Sequence, residues 1–212
     1  MVRKSNRRLN ATGRGGTPLD RRGRRALVMR QTILRAAARV FRRRGFAATG
    51  MREIADAADL SPGNLYYYFK SKHELLYFCQ DHSLDRMLAT CRSVQAGRLG
   101  AGERLAAVVR SHVACMLDEL DGAAAHTEVE ALPPRLRGRI VAKRDRYEAA
   151  VRRIVTRGVR SGAFVPCDAT LVTRALLGAV NWTARWYRPE GEQPPAAVAD
   201  AFANYLVRGL RS

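Results

Sequence analysis

The chain has 212 residues and carries 38 Lys or Arg against 19 Asp or Glu, a formal net charge of +19. So basic a balance points to a polyanionic partner, nucleic acid being the commonest, and the length suits a small helical domain plus a core of about 130 residues. The four cysteines, at positions 79, 91, 115 and 167, form no C-x-x-C pair, and neither an apolar leader nor a membrane-length apolar run is present; the expectation is a cytoplasmic protein of a reducing compartment with no membrane partner.

The charge is front-loaded. Residues 1–30 hold ten basic and one acidic residue, residues 31–80 eight and four, and residues 81–212 twenty and fourteen. Arginine abundance of this kind also follows from a GC-rich genome, so placement is the stronger argument. Residues 1–24, with RKSNRR, TGRGG and DRRGRR, have no hydrophobic period and are expected to be disordered. Two readings stand side by side: a solvated tail, or an arm lying on phosphates or in a minor groove.

From about Arg25 to Arg43 the apolar residues Ile33, Ala37, Val40 and Phe41 predict an amphipathic helix stopped by Gly45, with Phe46 turning back into a small core. Met51 to Ala58 predicts a short helix with Ile54, Ala55 and Ala58 on its inner face and Arg52 and Asp56 outward. Gly50 and Glu53 keep the acidic half of a capping box without the hydroxyl. A turn at Asp59-Leu60 leads to Ser61-Pro62-Gly63, a strong helix start: Ser61 accepts amide protons of the first turn, and Pro62 has its torsion preset. In the run Asn64-Leu65-Tyr66-Tyr67-Tyr68-Phe69, Leu65 and Phe69 are four apart and take the buried side. Tyr66 and Tyr67 are left toward a partner, where a phenol stacks or donates to a phosphate. Asn64 is the side chain able to read an adenine edge, and Pro62 and Gly63 permit close approach.

This stretch resembles the TetR/AcrR family of bacterial transcription regulators, whose signature is a T-x-x-x-E-I-A helix, a turn, and an S-x-G-x-L-Y-Y-x-F-x-S-K recognition segment. The match runs from about Ile33 to Leu76. It departs at Gly50, where the family has Thr or Ser, leaving open whether Thr49 supplies the missing phosphate contact. The expected DNA-binding set is Thr49, Arg52, Ser61, Pro62, Gly63, Asn64, Tyr66, Tyr67 and Lys72.

Beyond Lys72, helices are expected from His73 to about Arg92, from Glu103 to about Leu120, from Pro134 to Ser161, from Ala169 to Tyr187 and from Pro195 to Gly209, with a break at Gln95–Gly102 and a loosened stretch at Asp121-Gly122-Ala123. The last two are apolar over much of their circumference and so need two partners. The resemblance implies that one is a second subunit, giving a twofold homodimer. Residues 169–210, with Trp182 and Trp186 on adjacent turns, also resemble TetR-type repressors of lipid and steroid catabolism, several of which respond to acyl-CoA thioesters. That implies an effector site including Tyr147, Trp182, Arg185 and Trp186, although interface core for the tryptophans, with the arginines as rim charges, is at least as good a reading.

The expected architecture is all-α: a basic arm over 1–24, a three-helix helix-turn-helix DNA-binding domain over 25–72, and a larger helical effector-binding and dimerisation domain over 73–212. His73, His82, His112 and His126 show no ligand spacing, no nucleophile elbow or phosphate loop is present, and no catalytic residue, metal or cofactor is expected. The expected function is a regulator, a repressor by resemblance, that binds a near-palindromic double-stranded DNA operator and is released by a small apolar effector such as an acyl-CoA. The alternative is a nonspecific nucleoid or RNA-binding protein, which explains the charge but not the apolar C-terminal body.

Overall fold

The computed structural model describes residues 21–117 and 128–211. Among them all regular structure is helical: α1 (Arg21–Arg44), α2 (Met51–Ala57), α3 (Pro62–Tyr68), α4 (Lys72–Ala96), α5 (Ala101–Leu117), a 3-10 turn (Val129–Ala131), α6 (Pro134–Arg160), α7 (Ala169–Trp186) and α8 (Pro195–Arg208). The basic arm, the Asp121-Gly122-Ala123 stretch, His126 and the expected end of α5 at Leu120 fall wholly or mostly outside the described residues. No described helix is long and apolar enough to cross a membrane.

The expected helices are all present, with shifted ends. α1 begins four residues earlier than its apolar spacing indicates. α4 starts at Lys72 because Ser71 is its N-cap, accepting from Glu74 N–H at 3.2 Å, and it continues to Ala96 through part of the expected break. Gly45 and Gly162, at φ +76° and +71°, end α1 and α6 in the left-handed region that glycine enters without steric cost. Gly158 has a different role. A methyl group there would sit 2.1 Å from the buried Phe164 ring, so the connector after α6 folds back onto the helix only because that position is bare.

The small N-terminal head packs α1 against α2 and α4, and α2 against α3. Ile33, Phe41, Ile54, Leu65 and Phe69 are fully buried in it. The body packs α5 most extensively against α8, and sets α4, α6 and α7 around the rest of α5. α4 is common to both: Leu75 and Leu76 near its start and Leu84, Met87 and Cys91 further along are all buried. Its middle is fastened to α6 by Lys143, whose ammonium lies 2.6 Å from Asp81 and 2.8 Å from Asp85.

Candidate nucleic-acid interface and effector cavity

The reading helix is built as the sequence indicates. Ser61 Oγ accepts from Asn64 N–H at 3.2 Å, and Pro62 occupies the first turn. Asp59, at φ +56°, makes the reversal, and Leu60 N–H donates to Ala55 O at 2.9 Å, so the α2–α3 angle is set by backbone. Gly50 N–H donates to Glu53 Oε2 at 2.9 Å, the half capping box expected there. Glu53 also pairs with Arg44, tying the start of α2 to the end of α1.

With Leu65 and Phe69 inside, the opposite side of α3 is bare. Pro62, Gly63 and Asn64 are exposed, Tyr66 is 45% and Tyr67 72% exposed, and Arg52 on α2 is exposed as well. Tyr67 stands edge-on to Tyr68, which packs against the core and steadies the outer ring. All but the half-buried Tyr68 face solvent. Lys70, which sequence reasoning passed over, is exposed too, and its ammonium donates to Tyr66 O at 2.8 Å.

Two members of the expected set lie behind this surface. Thr49 is 3% exposed and its hydroxyl donates to Gly45 O at 2.7 Å, so it does not replace the hydroxyl lost at Gly50. Lys72 points inward: Nζ donates to the carbonyls of Phe46, Ala47 and Thr49 at 3.0 to 3.1 Å and sits 4.7 Å from the Phe46 ring centroid. Both residues close the loop after α1, with their polar atoms spent on backbone, and this corrects their expected place on the reading surface.

In the body, a cavity of about 400 Å³ opens between α4, α5, α6 and α7. Leu84, Met87, Met116 and Leu177 give it an oily lining, and Arg144, Asp145, Glu148 and Arg174 contribute charged groups. Tyr147 and His112, the latter without ligand spacing in the sequence, both line it. Burial pushes the His112 pKa down to about 4, against a smaller upward pull from its hydrogen bond to Asn181, so the ring is neutral. A second space, a cleft of about 570 Å³, lies where the C-terminal ends of α1, α5 and α7 meet. Arg42 and Arg43 of the head and Arg185 and Arg188 of the body face it, and Met116 lines both it and the cavity.

Trp182 and Trp186 line neither space. Trp182 is 63% exposed on the outer side of α7, and Trp186 stacks on Phe202 of α8. Leu171 and Tyr205 are also exposed on these two helices. The expected effector set is therefore divided: Tyr147 in the cavity, Arg185 in the cleft, and both tryptophans on an outer apolar face. Among the described residues no group of three or more His, Cys, Asp or Glu is gathered as a metal site.

A capped helix presented by a helix-turn-helix on a separate helical body defines a DNA-binding transcription regulator. Residues 33–77 match the model of bacterial regulatory proteins of the tetR family, and residues 98–210 match the tetracyclin repressor-like C-terminal domain. The chain belongs to the TetR family. It is 28% identical over 192 residues to the HTH-type transcriptional repressor KstR2 of Rhodococcus jostii, covering 86% of this chain and 91% of that one. Among solved structures it is similar to the TetR family regulator PfmR of Thermus thermophilus, with 32% identity, TM-score 0.75, and 85% and 99% of the two chains covered. It is also similar to AibR in complex with isovaleryl coenzyme A and operator DNA, with 25% identity, TM-score 0.72, and 84% and 98% covered.

The Lys72 clamp predicts that Lys72→Met destabilises the chain by about 2 kcal/mol, the scale of a charge-assisted backbone contact, while Lys70→Met at the exposed surface costs under about 0.5 kcal/mol. Thermal and denaturant unfolding of the two variants measures the difference. The neutral His112 sets a pH dependence. The unfolded chain protonates this ring near pH 6.5 while the folded one resists to about 4, so this contribution to stability falls as pH drops through that window, by about 3 kcal/mol, and levels off below it. Urea midpoints between pH 7.5 and 4, compared with those of His112→Phe, isolate that contribution as the part the variant lacks.

Proposed function

We propose that the protein is a ligand-responsive repressor that binds a near-palindromic operator as a homodimer and is released by an acyl-CoA thioester. The observation that carries the effector reading is the junction at Met116, where a cavity with an apolar wall of Leu84, Met87 and Leu177 adjoins a cleft faced by four arginines and two glutamates, Glu128 and Glu190. An acyl chain suits the first and the phosphates of coenzyme A suit the second, since guanidinium groups match phosphate oxygens in geometry and charge. That AibR was solved with isovaleryl coenzyme A and operator DNA supports this chemistry.

The DNA surface comprises Arg52, Ser61, Pro62, Gly63, Asn64, Tyr66 and Tyr67. Thr49 and Lys72 support it by holding the loop before α2. The outer face with Leu171, Trp182, Trp186 and Tyr205 pairs with the same face of a second copy, because a patch of large apolar residues on neighbouring helices is covered at lowest cost by a self-complementary twofold contact. Two recognition helices then enter major grooves about 34 to 36 Å apart, or a multiple of that.

Release follows from the position of the cleft. Arg42 and Arg43 belong to the head, and Arg185 and Arg188 to the body, so a polyanion between them fixes one head-to-body angle. If that angle gives the wrong separation of the two heads, ligand and operator oppose each other by one and the same coupling energy.

Selection from a random DNA pool is expected to yield a near-palindromic site. On that site Arg52→Ala lowers affinity about tenfold, the scale of a lost charged contact. Decanoyl-CoA added at micromolar concentration releases the retarded complex, and Arg188→Ala raises the concentration required. A flat selection profile favours the nonspecific nucleic-acid-binding alternative, and a complex indifferent to millimolar decanoyl-CoA removes the effector assignment.

A further inference from the structure

One string of hydrogen bonds runs through the lining of the cavity. The Tyr147 hydroxyl lies 3.2 Å from His112 Nδ1, and His112 Nε2 lies 3.1 Å from Asn181 Oδ1. All three residues line the cavity. With Asn181 Oδ1 as the amide atom that faces the ring, valence sets the direction of the string. An amide oxygen only accepts, so Nε2 carries the ring proton; Nδ1 then holds a lone pair, and Tyr147 donates to it. Burial keeps the ring neutral and, pushing the Tyr147 pKa well above its usual value, keeps the phenol protonated. The Asn181 amide is thereby oriented: its oxygen is anchored on His112 and its two N–H groups are left to meet a ligand.

The position of that amide matters as much as its orientation. Asn181 precedes Arg185 by one turn of α7, and His112 precedes Met116 by one turn of α5, a rise of about 6 Å. Met116 and Arg185 face the arginine cleft. On the acyl-CoA reading, phosphates at the outer side of the cleft and a pantetheine arm crossing it would carry the thioester past Met116 toward the rung that Asn181 and His112 form, one helical turn further in.

We propose that Asn181 reads the acyl carbonyl, donating from Nδ2 to the thioester oxygen, with His112 and Tyr147 as positioning residues that hold the amide in register. The inference rests on the acyl-CoA reading above and adds that the linkage is recognised as well as the chain. A thioether of equal length brings no oxygen to that point and forgoes the hydrogen bond, a loss worth about tenfold in affinity.

Calorimetric titration of the full chain with decanoyl-CoA and with S-decyl-CoA, the corresponding thioether, tests this. The wild-type protein prefers the thioester about tenfold. Asn181→Leu, at an exposed helix position, brings the two affinities together, and His112→Phe, which frees the amide to rotate, reduces the preference by a smaller factor; thermal melts establish that both variants are folded. Equal affinities in the wild-type protein overturn the carbonyl assignment and leave the acyl-CoA reading intact. A preference that survives Asn181→Leu also overturns it, and binding of neither ligand overturns both.

Discussion

The buried ammonium of Lys143 is the fixed point of the molecule. It lies against Asp81 and Asp85 in the middle of α4 and also donates to Asp81 O at 3.0 Å, so the register of α4 on α6 is set by a charge that has no acceptable position without those partners. α4 extends from this point in two directions. Its first turns fill the core of the head with Leu75 and Leu76, and its later turns supply Leu84 and Met87 to the cavity. A helix shared by two cores couples them mechanically, so a shift of α4 in one core is carried into the other.

Much of the head is legible in the sequence because its determinants are local. The Ser61-Pro62-Gly63 start, the four-residue spacing of Leu65 and Phe69, and Gly45 after an arginine-rich helix end each act within a few residues of themselves, and each appears in the structure as read. Thr49 and Lys72 were misplaced for the opposite reason. The ammonium of Lys72 finds its three carbonyls 23 to 26 residues back along the chain, and no spacing rule says where the end of a long flexible side chain comes to rest.

The body was less legible. Helices α6 and α7 follow from their apolar periods, but a period does not say which of two apolar sides faces a cavity and which faces outward. Trp182 and Trp186 drew attention by size and lie on the outer face. His112 and Asn181, which give the cavity its polar string, carry no signal in spacing or composition: a lone histidine on an apolar helix reads as core. Met116 is similarly silent, since being shared by two spaces is a property of packing alone.

The net charge overstates what the surface offers to a polyanion, because several arginines, exposed or half-buried, are engaged by neighbouring groups of the fold. Arg39 donates to Ala57 O, Arg139 lies over the Tyr77 ring, and Arg30 sits 4.8 Å and 4.9 Å from the ring centroids of Phe69 and Phe78. Arg30 ties α1 to the end of α3 and to α4 through these two ring contacts. A guanidinium held by aromatic faces is retained by ring quadrupoles and dispersion at short range, which dissolved electrolyte screens far less than it screens contacts with a phosphate backbone. A duplex held to the head through its phosphates would therefore be released by rising ionic strength well before the head itself loosens, leaving a folded domain.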